Sequence, residues 1–138
     1  LKNRAELLLI PIEELQESAL LFPQNSSKIK SPINLSLEDT SKIGAFHQNT
    51  AYIDKNLLKG DLSVRKWKKG DYFYPIGMTG KKKVSKYFKD EKFSLFEKEK
   101  TWLLCNGDAV VWIIGKRLDE RFKVSEKTTH ILKISLKN

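Results

Sequence analysis

Apolar residues recur along this chain at two different periods. Ile33, Leu35 and Leu37 alternate with Asn34, Ser36 and Glu38, the period of a strand with one buried face. Ile131 to Leu136 alternates in the same way, with Leu132, Ile134 and Leu136 inward and Lys133 outward. Leu62 to Trp67 predicts a further strand, with Leu62 and Val64 facing one way, and Thr50 to Ile53 a shorter one. Trp102 to Cys105 runs into Asn106-Gly107, a strong hairpin-turn signal. Ala109 to Ile114 is apolar on both faces, as in a central strand, and Gly115 ends it. Nearer the start, Leu7 to Ile12 reads as a short buried strand. Glu13 to Leu21 reads as a short helix with Leu15, Ala19 and Leu20 on one face, and the polar Phe22 to Ser31 as a loop.

The helical period appears in the middle. Lys82 to Lys92 places Val84, Tyr87 and Phe88 on one side and Lys82, Lys86 and Lys89 on the other. A second short helix is predicted at Ser94 to Lys98, with Ser94 as N-cap and Glu97 as its capping-box partner. Before these helices, Lys69-Gly70-Asp71 marks a turn, and Tyr72 to Pro75 is extended because the residue before a proline avoids helix. Gly77-Met78-Thr79-Gly80 is a loop whose glycines allow positive φ and close backbone approach. The expected class is α+β, an antiparallel-dominated sheet packed with one or two short helices. Residues 1–63 are expected to form a linker or N-terminal subregion with short strands, and residues 64–138 the main domain.

Charge changes this picture. The chain of 138 residues carries a formal net charge of +9, unevenly spread. Residues 1–63 hold seven Lys/Arg against eight Asp/Glu, residues 64–100 twelve against five, and residues 101–138 seven against four. A localised basic field attracts polyanions. The constellation is Arg65, Lys66, Lys68 and Lys69, then Lys81, Lys82, Lys83, Lys86 and Lys89, interleaved with Trp67, Tyr72, Phe73, Tyr74 and Tyr87. Lysine and arginine neutralise phosphates, and exposed aromatics stack on unpaired bases. A second cluster follows the central strand at Lys116, Arg117, Arg121 and Lys123. The competing reading is a solvated surface on a domain that docks to a protein partner through an apolar patch, for which the neutral, leucine-rich N-terminal third is the candidate.

Other chemistries find little support. The single cysteine, Cys105, excludes an internal disulfide and a cysteine-only zinc site, and no metal-ligand spacing links it to His47 or His130. Cys105 sits in an apolar strand, where a cysteine serves as a small hydrophobe. There is no Gly-x-Ser-x-Gly and no His-Glu-x-x-His. A phosphate-binding P-loop at Gly80-Lys81 fails because Pro75 and Lys82 occupy required positions. The apolar run Leu7 to Ile12 is too short for a signal segment or a membrane span. A cytoplasmic protein is expected. Starting on Leu1 rather than Met, the chain reads as part of a longer one.

The segment VRKWKKGDYFYPIGMTGKKKVSKYFKDEK, followed by WLLCNGDAVVWIIGKRLDERFKV, resembles the C-terminal domain of bacterial tRNA(Ile)-lysidine synthetases. Arg65, Gly70-Asp71, Pro75, Gly77-Met78, Gly80, Lys83, Ser85, Asp90, Trp112, Gly115, Arg117 and Arg121-Phe122 carry the likeness, in order, over residues 64–128. The resemblance implies an α+β fold related to a domain of the phenylalanyl-tRNA synthetase β chain. It implies a parent enzyme that uses ATP, with Mg, to adenylate the wobble cytidine of a CAU-anticodon isoleucine tRNA, which lysine then attacks. That chemistry belongs to an N-terminal domain marked by a Ser-Gly-Gly-x-Asp-Ser loop, and no Gly-Gly pair occurs here. The resemblance therefore implies a fragment without catalytic residues or cofactor of its own. Its implied partners are tRNA(Ile), through the acceptor-stem region, and the enzyme's own N-terminal catalytic domain. Phe96-Glu97-Lys98-Glu99 departs from the family, in which many members carry an arginine and prolines in that linker.

Overall fold

A computed structural model describes residues 20–137. Eleven strands form there: β1 (Leu20–Phe22), β2 (Lys28–Ile29), β3 (Leu35–Thr40), β4 (Thr50–Asp54), β5 (Leu62–Lys66), β6 (Tyr72–Phe73), β7 (Lys82–Lys83), β8 (Trp102–Asn106), β9 (Ala109–Ile113), β10 (Arg117–Leu118) and β11 (Ile131–Leu136). Two short helices, α1 (Val84–Asp90) and α2 (Leu95–Lys100), lie between β7 and β8. One sheet has the order β10-β9-β8-β5-β1, a second the order β2-β3-β11-β4, and β6 pairs with β7. The pairings are antiparallel. The expected class, antiparallel sheet with short helices, is what the structure shows.

Side-chain alternation divides the core into two layers. Leu62 and Val64 of β5 and Leu104 of β8 face the four-stranded sheet, where they meet Leu35, Leu37, Ile53, Leu132 and Ile134. Leu103, Cys105, Val110 and Ile113 point to the opposite face and pack under Phe73, Val84, Tyr87 and Phe88. Strands from either side of position 63 therefore build the first layer together. Each fully buried aliphatic or phenylalanine side chain contributes about 1.5–3 kcal/mol. One irregularity sets the division on β9. Val110 pairs with Cys105 but Trp112 with Leu104, so Val111 is the extra residue of a bulge. The bulge sends both Val111 and Trp112 to the sheet–sheet layer.

The helix expected over 82–92 is shorter, because two different interactions trim it. Lys82 and Lys83 pair with Phe73 and Tyr72 as β7, and Lys92 takes φ 59°, which stops the helix. Seven residues are too few for an independent helix, so the burial of Val84, Tyr87 and Phe88 holds α1 in place. Around α2 the capping box forms as expected: Ser94 accepts from the Glu97 N–H, and Glu97 accepts from the Ser94 N–H. The hairpin between β8 and β9 turns on Gly107-Asp108, one residue later than expected. Asn106 stays in β8, and its side chain accepts from the Lys59 N–H and donates to the carbonyls of Lys59 and Asp61. The helix expected over Glu13–Leu21 falls largely outside the described residues, and its end, Leu20–Leu21, lies in β1. The loop expected over Phe22–Ser31 contains β2. The strand expected over Leu7–Ile12 lies outside the described residues.

Candidate nucleic-acid interface

The alternation of β6 decides what faces solvent beside α1. Phe73 is fully buried against Tyr87, ring centroids 5.4 Å apart and perpendicular. Its neighbours Tyr72 and Tyr74 therefore emerge together on the other side and meet edge to face at 6.1 Å. Each carries a cation on its ring: the Lys81 Nζ lies 4.6 Å from the centroid of Tyr72, and the Arg121 guanidinium 4.4 Å from that of Tyr74. The result is a row, Lys81–Tyr72–Tyr74–Arg121, that joins the two basic clusters across one surface.

Asp119 fixes this row from beneath. It is fully buried, and its carboxylate accepts from the backbone N–H of Tyr74 and Arg121 and from Nε and Nη2 of Arg121. The adjoining chains are zipped together: the Glu120 N–H donates to the Tyr74 carbonyl, the Ile76 N–H to the Leu118 carbonyl, and Arg117 Nη2 to the Ile76 carbonyl. Glu120 is also tied down, by Lys123 and by the N–H of Gly77, and these hold its carboxyl below the ordinary value. Hydrogen bonding to Asp119 raises the Arg121 pKa further, so that residue stays cationic throughout. Tyr74 is among the interleaved aromatics of the sequence, but neither Asp119 nor the meeting of Tyr74 with Arg121 is evident from spacing. Asp119 shows only as a cap signal before the 3-10 turn Glu120–Phe122.

The lysines sort by their partners. Lys82 and Lys86 both bond the Asp90 carboxylate, at 2.8 and 3.3 Å, and hold its pKa down. Lys68, Lys69, Lys81, Lys83, Lys89 and Lys116 are exposed and make no ion pair among the described residues. Lys116 reaches over the Phe93 ring. Lys66 lies 4.1 Å over the Trp102 ring and donates to the Glu99 carbonyl; burial lowers its pKa. Arg65 is turned inward. Its guanidinium forms a two-pronged pair with Asp71, at 2.8 and 2.9 Å, and both side chains are nearly buried. That geometry gives Arg65 a scaffolding task at the base of the Lys68–Asp71 turn, whose N–H from Lys68 also bonds Asp71.

Cys105 is fully buried in β8, and burial pushes its thiol from 9.0 up to about 11. The thiolate is thus disfavoured in the folded state. The contribution of the protonated thiol is complete below pH ~9 and fades as pH rises through ~11. The native protein is expected to resist iodoacetamide at about pH 8 on the hour timescale and to react fully once denatured. Rapid native labelling, followed by mass spectrometry, would contradict the burial. Among the described residues no group of His, Cys, Asp and Glu could hold a metal ion, and no helix is long and apolar enough to cross a membrane.

Comparison with known proteins agrees with this architecture. The family model described as the TilS substrate C-terminal domain matches residues 62–136, more than half of the chain. The chain belongs to that family. As a TilS substrate C-terminal domain, it is 40% identical over 136 residues to a tRNA(Ile)-lysidine synthase of Parabacteroides distasonis, covering 96% of this chain and 31% of that protein. It is 46% identical over 85 residues to the tRNA(Ile)-lysidine synthase of Bacteroides thetaiotaomicron, covering 62% of this chain and 20% of that protein. The chain thus spans about a third or less of these relatives. A solved structure described as a TilS C-terminal domain superposes with a TM-score of 0.65 at 16% identity, covering 86% of this chain and 92% of that one. This last likeness bears on the fold alone.

Proposed function

We propose that the surface built on the Lys81–Tyr72–Tyr74–Arg121 row binds RNA. The RNA is tRNA(Ile), gripped through its acceptor-stem region, while an N-terminal catalytic domain uses ATP to attach lysine to the wobble cytidine. The domain itself supplies no catalytic residue on this reading, and it works in the cytoplasm. The observation that carries the proposal is the merging of two basic clusters, distant in sequence, into one cation-and-aromatic row held by a buried carboxylate. Lys81 within the row and Lys83, paired in the sheet with Tyr72, make no ion pair among the described residues, and such cations release counterions when they meet phosphate.

The experiment is a titration of the chain with tRNA(Ile) at rising salt. Affinity is expected to fall on the order of tenfold or more between about 50 and 200 mM salt. Binding insensitive to salt would contradict the proposal. A second reading, docking on the catalytic domain, has its own observation: Leu95 and Phe96 of α2 are 70% and 65% exposed. An exposed apolar pair suits a protein contact. The two readings are compatible, and association with the separated catalytic domain in the absence of RNA would test the second.

A further inference from the structure

Beside the row lies a cavity of about 520 Å³, lined by the 43–52 segment on one side and by Ile76, Trp112, residues 116–118 and residues 123–124 on the other. We propose that this cavity seats one unpaired nucleotide of the bound RNA, with its base against Phe46 and Ile43 and its phosphate on Lys116 and Arg117. The inference rests on the RNA-binding reading and specifies a subsite next to it.

Four features favour this occupant. The volume falls in the range of sites for small organic ligands. Of the stretch 116–124 only Lys116, Arg117, Leu118, Lys123 and Val124 line it, so it holds three cations and no carboxylate and suits an anion. Lys123 is already held by Glu120, which leaves Lys116 and Arg117 as the phosphate donors. Part of the wall is apolar and exposed: Phe46 is 90% and Ile43 52% accessible on the same loop, and a stacked base would cover them. Finally, the Arg117 guanidinium is only partly used. Its Nη2 donates to the Ile76 carbonyl, and its buried Nε has no partner among the described residues. Ile76 and Leu118 line the cavity and are hydrogen-bonded to each other two and three residues from Tyr74 and Arg121, so an RNA strand lying on the row could place its next nucleotide there. Bases within a stem are already stacked and paired, so the cavity selects an unpaired one.

The test compares two RNA hairpins of identical stem, one ending flush and one carrying four unpaired 3′ adenosines, with a third whose tail is abasic. The adenosine tail is expected to raise affinity about tenfold over the flush stem, through stacking. The abasic tail should recover little of that gain. Phe46→Ala, a change at an exposed position that leaves the core intact, should remove the gain and leave the flush-stem affinity unchanged. Equal binding of the tailed and flush hairpins overturns the nucleotide seat while the RNA-binding reading stands, as does an abasic tail as effective as the adenosine one. A Phe46→Ala loss equal for both hairpins likewise overturns it. Failure of every hairpin to bind removes the RNA-binding reading and this one with it. If an acidic peptide alone occupies the cavity, tail and flush stem bind alike, which again overturns the seat.

Discussion

Asp71→Ala is expected to destabilise the fold by about 3–5 kcal/mol, because it leaves a nearly buried guanidinium without its counter-charge. Arg65 donates both of its terminal nitrogens to Asp71, and the Lys68 N–H bonds the same carboxylate. The two side chains are only 11% and 8% exposed, so water cannot readily replace what the substitution removes. Small domains are stable by only about 5–15 kcal/mol, so the loss is a large share of the total. Urea denaturation gives the measurement, as a fall in midpoint with an unchanged slope. Exchanging both residues for an apolar pair, Arg65→Met with Asp71→Leu, is expected to cost far less, since no charge is then stranded. A single Asp71→Ala variant as stable as the parent would show that Arg65 escapes to solvent and that the pair does not anchor the turn.

This pair also marks where sequence reasoning stops. Arg65 and the lysines are equivalent on a count of charge, and both belong to the basic segment that points toward polyanions. What separates them is geometry made by the Lys69-Gly70-Asp71 turn, which folds Asp71 back onto Arg65. The turn itself is legible, through Gly70, whose φ of 96° only glycine adopts readily. The strands near residues 35–37, 50–53, 62–66 and 131–136 are legible from the alternation of their apolar residues, although the first begins at Leu35 rather than Ile33 and runs on to Thr40. The Ser94 capping box is legible because it is purely local. Leu20–Phe22 misleads because a short leucine-rich run suits helix and strand equally, and pairing with β5 decides it. The Val111 bulge depends on pairing with β8, and the meeting of Tyr74 with Arg121 joins residues far apart in the chain; no local pattern announces either. The cavity is hidden for the same reason: its two walls come from residues 43–52 and 112–124.

Local ion pairing makes a sharper prediction about the basic face than total charge does. Neutralising Lys81, Lys83, Lys89 and Lys116 together, as glutamines, is expected to weaken tRNA binding about tenfold to a hundredfold at physiological salt. It should also lower the salt slope by about one for each phosphate left without its lysine. These four side chains are exposed and make no ion pair among the described residues, so folding stability should change little. Lys82→Gln with Lys86→Gln removes two charges from the same stretch but should weaken binding much less. Both ammonium groups already face Asp90, which offsets their field toward an incoming phosphate. Removing them frees that carboxylate, so its pKa should move back toward the ordinary value, measurable by NMR titration of Asp90. Total charge alone predicts that each lysine counts equally, so the paired set would lose half as much as the unpaired set on a logarithmic scale. A loss well below that half locates the phosphate contacts at the unpaired lysines. A loss at or above it would mean that the Asp90 pairs open on binding and that α1 as a whole meets the RNA.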